Sequence, residues 1–324
     1  MRPVRLPGLI SAALFALLLG IAVGSVPLAP REVWRGLVEA GGPTADIVRQ
    51  LRLPRVLLAF VVGGSLGVSG AALQALVRNP LADPYLLGLS GGAGLGAVLG
   101  LAAGIASPWI VPVTAFAGAI GAIAVVYRLS LVQGRRLDPR VLLLAGVVVG
   151  SFAAAIMTGI IALSDAAQLR NAFLWLLGGF GGASWPALAT FTVYAVLPLL
   201  LLFRSSRALD LLALGEEPAR HLGLDAERTK RIVYLTAGLL TAAAVSVCGI
   251  IGFVGLVVPH IMRRLVGPIH RALLPAVFVG SGTFLVLADA VARSAVRPLE
   301  LPVGVVTALI GVPLFAVLLR KTLA

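Results

Sequence analysis

Apolar stretches as long as a bilayer is thick govern what this chain can become. Residues 6–26, 56–77, 85–104, 108–131, 141–163, 186–203, 273–291 and 301–319 form eight such runs. A helix crosses the hydrocarbon core with about 20 apolar residues, close to the length of each run. The runs are apolar on every side. A transmembrane barrel strand alternates apolar and polar over about ten residues, so a barrel does not fit. A soluble fold does not fit either: 59% of the 324 residues are hydrophobic and 12% are charged, against about 45–50% and about 25% in soluble domains. The pattern is that of an all-α integral membrane protein, with one transmembrane domain over residues 1–324.

A further stretch, 232–265, is too long for one ordinary span and tight for two. Charge decides between them. With two spans there, ten in all, and the N-terminus inside, eighteen Lys and Arg lie on the cytoplasmic side and eight outside. With one span the distribution is fifteen against eleven. Basic residues concentrate in cytoplasmic loops, so ten spans with both termini in the cytoplasm are expected. A broken or re-entrant piece around 249–255 is compatible with this if its backbone lines a cavity. The first run exceeds the 7–15 residues of a signal-peptide core and reads as an uncleaved first helix. The net charge of +13 does not indicate nucleic acid, because the basic residues sit singly or in pairs between apolar runs.

Two outer segments carry structure of their own. Residues 27–54 mix polar and apolar positions and predict a short surface helix. Residues 172–179 are apolar but too short to span, and predict a half-helix dipping in from outside. Gly88, Gly92, Gly96, Gly100 and Gly104 recur every fourth residue along the third span, a spacing that lets a neighbouring backbone approach. Pro112, Pro198, Pro259, Pro275 and Pro313 predict kinks inside spans. The single cysteine, Cys248, reads as a small packing residue.

The chemistry of a stand-alone machine is missing. Ion-coupled carriers place ionisable groups at membrane depth, and the middles of these spans are almost bare of charge. A P-loop needs Gly-Lys-Ser/Thr, but Lys230 follows Thr229 and Lys321 follows Arg320. Any ATP must therefore be bound by a separate subunit. The three histidines stand far apart in sequence and give no metal-ligand cluster, and no nucleophile with base and orienter is visible. Catalytic, cofactor and metal sites are all expected to be absent from this chain. A secondary transporter or channel remains the alternative function.

The largest inner loop, 204–231, contains Ala213-Leu-Gly-Glu-Glu-Pro-Ala-Arg-His-Leu-Gly-Leu-Asp225. Glu216 and Glu217 open a helix of about two turns, Arg220 and His221 close it, and Gly223 can cap it. The charges match the helix dipole at both ends. So short a helix is marginal alone, and a docking partner accounts for its design.

Several motifs stand in order along the chain. They are Arg52-Leu-Pro-Arg55, Gly63-Gly-Ser-Leu-Gly-Val-Ser-Gly70, Leu73-Gln-Ala-Leu76 and Arg78-Asn-Pro-Leu-Ala-Asp-Pro84, then Gly252-Phe-Val-Gly-Leu-Val-Val-Pro-His260, Leu287-Ala-Asp-Ala-Val-Ala-Arg293 and Leu301-Pro-Val-Gly-Val-Val-Thr-Ala308. Together they resemble the FecCD/BtuC permeases of ATP-binding-cassette (ABC) importers, which take up ferric siderophores, haem or vitamin B12. Ser90-Gly91-Gly92 departs from the family's Ser-Ser/Asn-Gly. The resemblance implies a ten-helix permease working as a homodimer in the bacterial cytoplasmic (inner) membrane. It implies two copies of an ABC ATPase that bind ATP and Mg²⁺, and a periplasmic or lipid-anchored substrate-binding protein. It implies ATPase coupling by Gly215, Glu216, Glu217, Ala219, Arg220, Leu222 and Gly223. It also implies docking of the binding protein on outward arginines Arg52, Arg55 and Arg293. Gln168-Leu-Arg170 and Phe173-Leu-Trp175 resemble haem-type members, which places an iron complex slightly ahead of cobalamin as the cargo.

Overall fold

The computed structural model describes residues 6–24, 26, 28–39, 41–105, 107–132 and 136–323. Arg2, Arg5 and Arg135, counted among the cytoplasmic charges, lie outside the described residues. The elements follow in order. α1 (Leu6–Ala22), α2 (Pro30–Val38) and α3 (Pro43–Asp46) come first, and a π-helical turn (Ile47–Arg52) leads into α4 (Leu53–Val77). A 3-10 turn (Pro84–Leu87) precedes α5 (Leu89–Ala102) and α6 (Ile110–Leu129). A hairpin of β1 (Leu131–Val132) and β2 (Arg136–Leu137) follows, antiparallel, with Leu131 opposite Leu137. Then come α7 (Pro139–Ala162), α8 (Ala166–Leu176), α9 (Trp185–Arg204), α10 (Ser206–Ala213) and α11 (Glu216–His221). α12 (Ala226–Cys248), α13 (Val254–Val266), α14 (His270–Ser294) and α15 (Val303–Leu323) complete the chain.

Among the described residues, six helical stretches are long and apolar enough to cross a membrane, and three shorter apolar helices accompany them. The 232–265 stretch divides as the charge argument expects, into α12 and α13 with a break at 249–253. Without a hydrophobic drive between helices in lipid, close backbone approach holds them together. A Cβ at Gly96 would collide with the Thr114 carbonyl oxygen of α6, and one at Gly70 would collide with that of Gly255 in α13. The glycine period of α5 is therefore a packing seam with α6. Gly88 and Gly104 fall just outside the helix.

The boundaries depart from expectation where capping decides them. The half-helix over 172–179 begins earlier, at Ala166, because the Asp165 side chain accepts the Gln168 N–H at 2.8 Å. It stops near Gly178, where φ is +67° and a Cβ would meet the Ile250 carbonyl oxygen at 2.5 Å. The surface segment 27–54 yields α2 and then a helix running unbroken into α4. Pro54 has no N–H to close the preceding α-helical turn, and that turn widens to π geometry. Pro198, Pro259, Pro275 and Pro313 lie inside helices, but Pro112 sits in the first turn of α6, where its missing N–H has no intrahelical partner to lose. Cys248 is buried, and its thiol faces the Ala244 carbonyl at 3.0 Å.

Candidate functional site

Charged groups gather at the two ends of the bundle. At the end that the charge count assigns to the outside, called outer below, Asp289 of α14 is 0% exposed. Its Oδ1 accepts from Arg55 Nε and Nη2 at 3.1 and 2.9 Å, and its Oδ2 accepts from Arg293 Nε at 2.9 Å. Arg293 turns its other two nitrogens to the Val23 and Gly20 carbonyls at 2.7 and 2.9 Å. Arg52 donates to Ile21 and Ala22 at 2.8 and 2.9 Å and also to Val26. The Gly20, Ile21 and Ala22 carbonyls close α1, and the last carbonyls of a helix have no partner within it. The two guanidiniums supply one. Arg49 repeats the device on α2, donating to Gly36 and Leu37 at 3.0 and 2.7 Å.

This placement corrects part of the docking expectation. Arg52 and Arg293 are 7% and 3% exposed, and their donors are occupied inside the fold. A purely positional reading puts them on the outer surface; their reach to the end of α1 buries them. Arg55 keeps an opening. Beyond Asp289 it meets Glu300 Oε2 at 2.9 Å, on the loop between α14 and α15. Arg31, Arg35, Arg170 and Arg297 remain exposed at this end.

At the other end, assigned to the inside by the same count and called inner below, residues 204–231 fold as α10, α11 and the first turns of α12. The helix bounds match the expected signals: Glu216 and Glu217 in the first turn, Arg220 and His221 in the last. Gly223, with φ +83°, ends α11 in a Schellman cap. The Leu224 N–H reaches the Ala219 carbonyl at 3.0 Å and the Gly223 N–H that of Arg220 at 2.9 Å. Gly215 has φ +116° and starts the helix. Ala219 is buried, while Glu217, Arg220, Leu222 and Gly223 face outward.

Lys230 carries the link from α11 to the bundle, although by sequence it is only one more inner charge. It is 2% exposed. Its Nζ lies 2.9 Å from Glu216 Oε1, 2.8 Å from Glu227 Oε1 and 2.6 Å from the Leu137 carbonyl. Glu227 in turn accepts the Leu137 N–H at 3.0 Å. One ammonium therefore joins α11, α12 and the β-hairpin, which is why Glu216 turns inward rather than toward a partner. A second tie holds α10: Asp210 Oδ1 accepts the His270 N–H at 2.9 Å and lies 2.6 Å from His270 Nδ1 at the start of α14. Nearby, Gln74 accepts from Arg263 at 2.6 Å and donates to the Ala82 and Gly255 carbonyls at 3.3 and 3.2 Å. That knot unites three of the motifs read from the sequence.

Beside the Arg55–Glu300 pair, broken backbone from three parts of the chain meets. The Gly179 N–H bonds the Cys248 carbonyl at 2.8 Å, and the Val303 and Gly304 N–H groups bond Gly178 and Leu177 at 3.0 and 3.1 Å. Interrupted helices are tolerated in lipid where they line a cavity, and one of about 870 Å³ opens here, bordered by Trp109, Trp175, Gly178, Tyr194 and Val303.

A helical bundle with interrupted spans around a cavity, and an anchored helix presented at its inner end, is a transporter's membrane permease. Residues 12–321 match the FecCD transport family, and the chain belongs to it. It is 40% identical over 320 residues to an uncharacterized ABC transporter permease protein, YvrB, of Bacillus subtilis (strain 168), covering 94% of this chain and 90% of that protein. It is 44% identical over 278 residues to the cobalamin import system permease protein BtuC of Halobacterium salinarum, covering 85% and 73%. It is 40% identical over 312 residues to the vitamin B12 import system permease protein BtuC of Escherichia coli O157:H7, covering 95% and 92%. A solved structure described as an inward-facing conformation of a metal-chelate type ABC transporter aligns with TM-score 0.87 and 32% identity, over 97% of this chain and 98% of that one. The protein is the permease of an ABC importer, a membrane-spanning translocation subunit.

Proposed function

We propose that two copies of this chain form the path of an importer for a large metal chelate. Each copy engages one ATPase at its cytoplasmic end, and a substrate-binding protein docks outside. ATP and Mg²⁺ belong to the ATPase, and this chain holds no cofactor. Both termini face the cytoplasm of a bacterial cell, across its inner membrane. The observation that carries the reading is α11. Its inner side is pinned through Glu216 to Lys230, with Arg220 bridging Glu216 and Glu227, and its outer side offers Glu217 and Leu222. A short helix tied to the bundle on one side and open on the other suits a part that receives force from a partner.

ATP-driven closure of the ATPases moves α11, and the Lys230 tie passes that motion to α12 and, through the hairpin, to α7. Alternating exposure of the path follows from rigid-body movement of these helices. The cargo we favour is cobalamin ahead of haem or a ferric siderophore, the reverse of the order that the sequence motifs favour. The support is the cobalamin and vitamin B12 importers among the relatives. Docking of the binding protein we assign to Arg55, with Arg52 and Arg293 holding the platform beneath it.

Affinity purification of the tagged permease from its native membrane, with mass spectrometry, tests this reading. We expect a P-loop ATPase in about equal amount and a binding protein whose ligand names the cargo. A chain recovered alone that moves cobalamin in ATP-free vesicles would overturn it.

A further inference from the structure

The outer cluster holds a second acid, part-exposed where Asp289 is buried. Arg55 already grips Asp289 with Nε and Nη2, and Asp289 is fully buried. Glu300 adds a second carboxylate at 2.9 Å from Arg55 Nη2, with its side chain 37% exposed. It sits on a loop rather than a helix. Arg55 therefore carries one buried partner and one part-exposed partner, and the second pair, open to water on its Glu300 side, is the weaker of the two.

We propose that Glu300 is a placeholder, occupying on Arg55 the position that a carboxylate of the docked binding protein takes. The inference rests on the docking reading above and names the group on this chain that the partner displaces. Exchange of one carboxylate for another leaves the guanidinium paired throughout, so no buried charge is exposed on the way. An arginine fork suits a carboxylate better than other acceptors, which selects an acidic side chain on the partner.

The displaced acid is connected to the transport path. Glu300 and Arg55 border the same cavity as Trp175 and Val303. One residue beyond Glu300, the Leu301 N–H bonds the Ala292 carbonyl of α14 at 2.9 Å. Next come the bonds of Val303 and Gly304 to the end of α8. The loop is thus a strap from α14 to the junction of α8 and α15, with Glu300 as its outer fastening. A docking event that takes over Arg55 unfastens the strap beside the cavity.

The test uses the permease–ATPase complex in lipid nanodiscs, titrated by surface plasmon resonance with the binding protein recovered alongside it. Glu300→Gln keeps the shape and removes the competing charge, and we expect binding to tighten about fivefold. The gain should shrink at high salt. Arg55→Ala separates this proposal from the one beneath it. If Arg55→Ala leaves binding unchanged, docking at Arg55 is wrong and the placeholder falls with it. If Arg55→Ala weakens binding while Glu300→Gln matches the native affinity, docking stands and the placeholder is wrong. A second readout needs no partner: amide hydrogen exchange over 296–304 should rise in Glu300→Gln alone, and unchanged exchange overturns the strap.

Discussion

The outer and inner ion clusters are built from similar groups in different settings. Outside, Asp289 is enclosed between Arg55 and Arg293, and Arg52 and Arg293 finish α1. The helices joined there, α1, α4 and α14, already pack along their lengths. Inside, Lys230 joins α11, α12 and the hairpin. The six-residue α11 has only one buried side chain, Ala219, and the acids that Lys230 meets, Glu216 of α11 and Glu227 of α12, keep 29% and 22% of their side chains exposed. Where packing fixes the helices, the charges complete a static joint. Where packing is thin, the charges are the principal link. Damage to the first should appear as lost stability, and damage to the second as lost transmission.

The largest effect is expected from Asp289→Ala. It leaves Arg55 and Arg293 facing each other in a desolvated site, and removal of one member of a buried ion cluster costs about 3–5 kcal/mol. Glu300 can offset part of this for Arg55 but is not bonded to Arg293. Thermal unfolding followed by size-exclusion fluorescence should show a large fall in midpoint and in folded yield. A loss below about 1 kcal/mol would mean that water reaches the cluster and that the static joint is misdescribed.

Lys230→Met comes next and probes the other half of the comparison. Two partly exposed acids lose their nearer cation but keep Arg220, whose Nη2 lies 3.7 Å from each, so the stability loss is smaller, about 1–2 kcal/mol. The informative quantity is cargo moved per ATP hydrolysed in proteoliposomes. We expect about a tenfold fall in that ratio, equivalent to ~1.4 kcal/mol of lost linkage, with ATP turnover largely kept. A proportional fall in transport and ATP turnover would make Lys230 a purely structural residue. Gly223→Ala should follow at about 1 kcal/mol, because φ of +83° is strained for any residue with a Cβ. It should loosen α11 without touching the outer cluster, readable as faster hydrogen exchange over 216–224.

Much of this arrangement is legible in the amino-acid sequence. Span positions follow from apolar length, the split of 232–265 from charge counting, and the bounds of α11 from its acidic start, basic end and glycine. The family follows from motifs in order. The roles inside the clusters are not legible. Arg52 and Arg293 look like outward charges because topology gives only the side of the membrane; whether a side chain reaches water or a neighbouring helix end depends on α1, far away in sequence. Lys230 is hidden for the same reason, since its partner Leu137 lies on the hairpin before α7. The early start of α8 does carry a signal: Asp165 followed three residues later by Gln168 is a capping pattern.

The smallest effect on the fold, and the one that isolates the partner surface, is expected from Glu217→Arg. Glu217 is exposed and lies beside Glu216, which alone makes the inward contact to Lys230. Reversing its charge in the first turn of α11 works against the helix dipole by about 0.5 kcal/mol. The unfolding midpoint and exchange over 216–224 should therefore barely move. Recovery of the ATPase in the affinity purification should nevertheless drop, because the outward side of α11 then presents the wrong charge. Normal ATPase recovery with normal coupling would remove α11 as the contact and leave Lys230 holding a helix with no partner. Loss of the ATPase with an undisturbed fold would separate transmission from stability at the inner end, the distinction on which the contrast with the outer cluster depends.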